Sequence, residues 1–239
     1  MIVLFAIAGW LASLFPNGDH NAAKIDAARA PLSQRLTSRG FHLGDPAYLR
    51  IFKSENRMEF WLAEKGRYRL FETYPICAWS GGLGPKLREG DGQTPEGFYS
   101  IAPVQMNPHS DYDKAFNIGF PNAFDQANGR SGSFLMVHGN CASAGCFAMT
   151  DPGIEEIYRV MAAAFTAGQR SIAVDALPFR LSAANLAAHS TDSAIGFWRQ
   201  LANGEAEFER RGAPAAVFVC SRRYAFSAGP GCLPVRGAD

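Results

Sequence analysis

A chain of 239 residues that is 47% hydrophobic and 19% charged can bury a core of its own, which excludes a disordered tail and sets an expectation of one moderate domain or two small ones. Its formal net charge is +1, with Lys and Arg spread along the sequence, so there is no basic footprint and nucleic acid is not expected as a partner.

The first thirty residues read apart from the rest. "IVLFAIAGWLASLF" (2–15) is too short for a membrane span of about 20 residues and has the length of a signal-peptide core. Small residues at Ala12-Ser13 and at Ala28-Arg29-Ala30, before Pro31, suit a signal peptidase. No Lys or Arg precedes the run, Lys24 being the first, so a retained anchor is the competing reading.

Three aromatic and β-branched runs follow: "AYLRIFK" (47–53), "RMEFWLAE" (57–64) and "YRLFETYPI" (68–76), separated by "SEN" and "EKG". They predict short antiparallel strands paired consecutively. "WSGGLGPKLREGDGQTPEG" (79–97), rich in Gly and Pro, predicts a long surface loop of the kind that often carries function. "FYSIAPVQ" (98–105) resumes the strands, and an Asn-, Pro- and Asp-rich stretch follows as a second loop. "SFLMVH" (133–138) reads as a buried strand ending on His138.

"TDPGIEEIYRVMAAAFTAG" (150–168) is the clearest helix, with Thr150 or Asp151 as cap, Pro152 in the first turn and Gly168 at the close. Ile154, Ile157, Val160, Met161, Ala164 and Phe165 share one face and predict core contacts. "SIAVDAL" (171–177) is a further strand; an Ala-rich helical stretch runs to about Arg211, and "AAVFVC" (215–220) is a final strand. The expected class is mainly β with α.

Five cysteines leave at least one thiol unpaired. Cys220 and Cys232 are close enough in sequence to form a disulfide or to stay two buried thiols, and Cys141 either partners Cys77 or stays a small buried hydrophobe. The densest chemistry lies in "MVHGNCASAGCFAM" (136–149). Zinc needs about four ligands in paired spacing, and one His with Cys-x4-Cys lacks a second pair. A Cys141–Cys146 disulfide would close a very short ring. The third reading makes Cys146 a thiolate nucleophile and His138, at a strand end, the base that takes its proton. Gly145 then clears space for a substrate carbonyl, and backbone N–H groups of the turn face a developing oxyanion. For calcium, Glu89 and Asp91 are too few oxygen ligands.

"VHG" followed by "SAGC" resembles the core of the YkuD-type L,D-transpeptidase domain, in which His-Gly at a strand end precedes Ser-x-Gly-Cys. The wider strings "GDGQTPEGFY" (90–99), "FPNAFDQANGRSG" (120–132) and "HGNCASAGCFAMTD" (138–151) are similar to the YafK branch of that family, and the resemblance spans roughly residues 46–175. It implies a β-sandwich or barrel-like catalytic domain at 31–178, with one principal helix after the nucleophile. Residues 1–30 are then a signal peptide or membrane anchor, and 179–239 a helical C-terminal extension packed on the domain.

By the same resemblance Cys146 is the nucleophile, His138 the base and Gly139 the donor of a carbonyl that orients the imidazole, with Ser143 and Gly145 shaping the turn. The implied substrate is a meso-diaminopimelate-containing peptidoglycan stem peptide in the periplasm. A thioester is resolved by an amine or by water, and no metal or organic cofactor is implied. The alternatives are a hydrolase releasing an outer-membrane protein attached to peptidoglycan, and an inactive peptidoglycan-binding module. The family's commoner motif has a second His before Gly-Cys and an Arg or Asn after; here those places hold Ala144 and Phe147-Ala148. Another cation is therefore expected to meet substrate carboxylates, and the candidates are Arg130 and Lys86.

Overall fold

The computed structural model of the protein describes residues 17–236; the apolar run at 2–15 and the Ala12-Ser13 site lie outside them. Two short helices, α1 (Ala22–Ala27) and α2 (Leu32–Ser38), lead in. They are packed on the body: Asp26 accepts from the Thr150 hydroxyl, Arg29 lies 4.1 Å over the Tyr74 ring, and Arg35 pairs with Glu72 at 2.6 Å and with Glu156.

The three aromatic runs form β1 (Ala47–Phe52), β2 (Arg57–Glu64) and β3 (Arg67–Pro75), antiparallel and paired in sequence order. Lys65 and Gly66, with φ of 51° and 81°, make the two-residue turn whose twist suits a hairpin. Two distant segments complete the sheet. β10 (Ile172–Leu177) runs parallel to β1, and β5 (Gly97–Ile101) runs antiparallel to β10, giving the order β3-β2-β1-β10-β5.

A second five-stranded sheet has the order β4-β9-β8-β7-β6, built from β4 (Ala78–Trp79), β6 (Met106–Ser110), β7 (Asp113–Asn117), β8 (Met136–His138) and β9 (Phe147–Ala148). The stretch expected as a second loop thus contains the β6–β7 hairpin and a short helix, α3 (Ala123–Ala127). β6 is polar and has no buried residue, and in β7 only the adjacent Ala115 and Phe116 are buried, so pairing rather than apolar alternation defines these strands. The buried strand read at 133–138 is confined to Met136–His138, because Phe134 takes a left-handed φ of 52° and turns outward, 77% exposed.

Both large sheets are open, and the fold is a mixture of sheets and helices with no closed barrel. The main core lies between them and under α4 (Asp151–Thr166), joining Leu49, Ile51 and Phe60 to Phe116, Val137 and Phe147. α4 begins at Thr150, whose hydroxyl accepts from Gly153 N–H, and buries Ile154, Ile157, Val160, Met161 and Ala164. An N-cap of this kind stabilises a helix by about 1 kcal/mol.

Past β10 the single helical stretch expected to Arg211 is two helices, α5 (Ala183–Ala188) and α6 (Ile195–Arg211), broken by the polar "HSTDS" at 189–193. A three-stranded sheet of order β12-β11-β13 follows, made of β11 (Val217–Cys220), β12 (Arg223–Ala225) and β13 (Leu233–Arg236). This part shares a second core with the body, where Trp198, Leu201 and Val217 meet Phe52 and Phe98.

Candidate active site

β8 and β9 are parallel neighbours, with Val137 opposite Phe147 and His138 opposite Ala148. Val137 and Phe147 are both wholly buried in the main core. Side chains alternate along a strand, so Met136 and His138 belong to the opposite face. Cys146, which directly precedes β9, meets β8 through the Met136 N–H, two residues before the imidazole.

The thiol is held by backbone. Met136 N–H donates to Cys146 Sγ at 3.4 Å, and Sγ donates to the Phe134 carbonyl at 3.7 Å. The Cys146 carbonyl accepts from Ser143 Oγ at 2.7 Å and from Thr94 Oγ1 at 3.2 Å, and Ser143 Oγ also accepts from Gly145 N–H at 3.3 Å. Gly145 has φ of 131°, which L side chains rarely adopt, so the tight approach to Cys146 requires glycine. Burial pushes the Cys146 thiol above its ordinary value, against the opposing Met136 N–H and the positive charge of Lys86.

His138 is buried, and its Nδ1 lies 2.6 Å from the Gly139 carbonyl. A carbonyl only accepts, so Nδ1 carries the proton and the Nε2 lone pair is left for chemistry. Burial lowers the pKa of His138 below its ordinary 6.5, with the Gly139 carbonyl opposing. The half-exposed Tyr112 ring lies 4.8 Å from the imidazole, tilted by 37°. At Gly139 a Cβ would sit 2.6 Å from Asp151 Oδ1 and 2.9 Å from the Tyr112 carbonyl, so no side chain fits beside the imidazole.

The cysteines divide cleanly. Cys77 is bonded to Cys141 and Cys220 to Cys232, which leaves Cys146 as the free thiol and removes the Cys141–Cys146 ring. Cys141 N–H donates to the Met149 carbonyl and Cys77 N–H to the Ala148 carbonyl, so this bridge flanks β9 on both sides. Among the described residues no three His, Cys, Asp or Glu gather as metal ligands.

Of the two candidate cations, Lys86 is buried, bonded to Asp91 at 2.5 Å and to the Arg88 carbonyl at 3.1 Å, and its charge acts on the Cys146 thiol. Burial of Asp91 is outweighed by Lys86 and by the N–H groups of Arg88, Leu87 and Gln93, which bring its carboxyl down to about 2. Arg130 goes elsewhere: it pairs with the buried Asp125 at 2.9 Å and lies 5.0 Å and 4.6 Å over the rings of Phe124 and Phe197. The structure thus gathers Cys146, His138, Gly139, Ser143 and Gly145, adds Lys86 through its field, and engages Arg130 in the second core.

Sequence reasoning passed over Thr94 and Phe134. Thr94 stands in "GQTPEG" without a distinguishing signal, and no aromatic side chain announces a left-handed backbone. The 79–97 loop is also less superficial than its composition suggests, since Thr94 and Glu96 are wholly buried.

The sequence pattern of the L,D-transpeptidase catalytic domain (YkuD) matches residues 46–171. Two curated Escherichia coli proteins, from strains K12 and O157:H7, each named "Putative L,D-transpeptidase YafK", are 45% identical over 185 residues, 77% of this chain and 75% of theirs. Among solved structures, the helical cell shape determining protein Pgp2 of Campylobacter jejuni is 18% identical with a TM-score of 0.45, over 78% of this chain and 80% of that one. A mutant of Pgp2 gives 0.46 over 75% and 66%, and Bd1075 of Bdellovibrio bacteriovorus gives 0.36 over 54% and 46%. With more than half of its length matched by the family pattern and 45% identity to YafK, the chain belongs to the YkuD family of L,D-transpeptidase catalytic domains.

Proposed function

We propose that the protein is an exported cysteine acyl-enzyme acting on meso-diaminopimelate-containing stem peptides of peptidoglycan. The observation that carries the reading is a free thiol at Cys146 bonded to Met136 of β8, the strand that ends on His138, whose Nδ1 is turned to the Gly139 carbonyl and leaves Nε2 for chemistry. In the ground state both are neutral, because burial raises the thiol and lowers the imidazole. His138 Nε2 takes the thiol proton as Sγ attacks the carbonyl carbon. We assign the backbone N–H of Cys146 to the oxyanion that forms as its own thiol attacks. The C–N bond then breaks, the leaving amine takes the proton from the imidazolium, and a thioester remains on Cys146. An incoming amine or water, deprotonated by the same Nε2, cleaves the thioester and regenerates the thiol.

Lys86 is the cation we assign to the substrate carboxylates. Both cations have a carboxylate partner, Asp91 for Lys86 and Asp125 for Arg130, but the charge of Lys86 acts on the thiol, whereas Arg130 lies over the Phe124 and Phe197 rings of the second core. Export by residues 2–15 places the enzyme in the periplasm. A cut at Ala12-Ser13 leaves the contacts of α1 and α2 in place, while a cut after Ala30 would separate Asp26 from Thr150.

The test is digestion of purified peptidoglycan carrying a covalently attached lipoprotein, comparing wild type with Cys146→Ala by mass spectrometry of the released muropeptides. New diaminopimelate–diaminopimelate cross-links make the acceptor an amine. Release of the attached protein makes it water. No Cys146-dependent change in either overturns the proposal in favour of a module that only binds the wall.

A further inference from the structure

We propose that the C-terminal extension is part of the catalytic machinery: Trp198 of α6, acting through the buried Glu96–Lys53 pair, is a positioning residue that sets the 79–97 loop against Cys146. The inference rests on the reading of Cys146 as nucleophile.

The extension lies beyond the family match, which ends at residue 171. Trp198 is nearly fully buried, its ring held by Phe179 at 5.1 Å and His189 at 5.6 Å. Its Nε1–H donates to Glu96 Oε2 at 2.8 Å. Glu96 Oε1 accepts from Gly84 N–H at 2.7 Å and pairs with Lys53 Nζ at 3.1 Å. Lys53 Nζ in turn donates to the carbonyls of Gly82 at 2.8 Å and Thr94 at 2.9 Å. Gly82 and Gly84 stand on the outgoing leg of the loop, Thr94 and Glu96 on the returning leg. The pair, with both side chains wholly buried, therefore ties the two legs together, and Trp198 ties them to the extension.

Two residues of the tied loop act on the nucleophile. Thr94 Oγ1 donates to the Cys146 carbonyl, and Lys86, carried between the legs, acts on the thiol with Asp91 beside it. Burying two charges is costly, and well-packed apolar groups of similar volume commonly stabilise a fold as well or better. What the ion pair supplies is direction: it meets Gly82, Gly84, Thr94 and Trp198 at fixed angles, which apolar groups cannot do. His138 stands on β8, away from the groups the clamp bonds, so Lys86 is the charge that moves when the clamp loosens.

The test uses the full chain with Trp198→Phe, which deletes the N–H and keeps an aromatic ring, and the double variant Lys53→Met/Glu96→Leu, which keeps the buried volume and deletes the directed contacts. Three quantities are read: melting temperature, the rate of Cys146 alkylation by iodoacetamide against pH, and kcat and KM on muropeptides. The expected result is a folded protein in which the alkylation profile moves to higher pH and kcat falls roughly tenfold with KM little changed. The double variant gives the same shift even if its melting temperature is not lowered. Should Trp198→Phe fail to fold, the double variant decides alone. Unchanged alkylation profiles in the folded variants overturn the proposal, whatever the melting temperature does. A shifted profile in a protein whose wild type turns over no muropeptide keeps the clamp and removes the assigned substrate instead.

Discussion

Replacing both Cys77 and Cys141 by Ala tests how the site is held. The two half-cystines are 64 residues apart, with Cα atoms at 5.2 Å, and they bracket β9 and the turn that follows His138. Closing a loop of that length removes denatured-state entropy worth about 4 kcal/mol at 25 °C in the chain-entropy model. For a chain of this size such a loss lowers the melting temperature by on the order of 10 °C. Urea unfolding of the oxidised wild type and of the double variant measures the difference directly. Intact mass after alkylation in non-reducing denaturant checks the pairing: one adduct is expected, at Cys146, against five after reduction. Activity should fall together with stability, because Asn140 and Cys141 next to the base hold left-handed φ of 67° and 44° that the bridge helps to maintain. A double variant within about 1 kcal/mol of wild type, or three alkylated thiols before reduction, would refute the argument.

The remaining expectations concern pH and substrate contact. kcat/KM should rise with pH as His138 loses its proton, at a midpoint below 6.5, and should not decline before pH 9, since the thiol titrates above its ordinary value; a bell falling near pH 8 contradicts the neutral-pair ground state. Lys86→Met should push the thiol further up and slow alkylation at neutral pH, and equal rates would remove Lys86 from the site. The Asp91 carboxyl is held at about 2 against an ordinary 3.8, so its hold on the loop is complete above 3.8 and lost as pH falls towards 2; hydrogen exchange at Leu87, Arg88 and Gln93 should quicken over that window. Phe134→Gly suits the left-handed backbone and deletes an exposed ring beside the thiol, so KM on muropeptides should rise while stability holds; an unchanged KM shows that the ring touches no substrate.

The β1–β3 meander and α4 were readable because each carries its own local signal. Aromatic runs are punctuated by "SEN" and "EKG", and α4 is capped by Thr150 and striped by Ile154, Ile157 and Met161. The His138–Cys146 stretch carries its motif in sequence because its residues are close together. What escaped is what depends on partners far away. β4 and β9 are two residues each and exist only through one another and β8. The Cys77–Cys141 bridge spans 64 residues, and the family resemblance did not fix it. Lys53 and Glu96 look like ordinary surface charges in sequence, and their burial depends on the 79–97 loop and on Trp198 of α6 meeting them. Lys86 and Arg130 were equivalent as letters. Their separation follows from Asp125 and two Phe rings that draw Arg130 into the second core.

Because β10 lies between β1 and β5, the first sheet cannot be assembled in the order in which the chain is made. Tyr48 waits for Ala173, and the core that backs β8 and β9 stays incomplete until Ile172, Val174 and Ala176 arrive. The last described strand adds a further hold, since Arg236 pairs with Asp175 on β10 and donates to the Val174 carbonyl. Pairing across such distances is slow and late. Until residue 172 is made, β1 and β5 therefore each keep an open strand edge. The sheet that backs Cys146 closes only with the final quarter of the polypeptide.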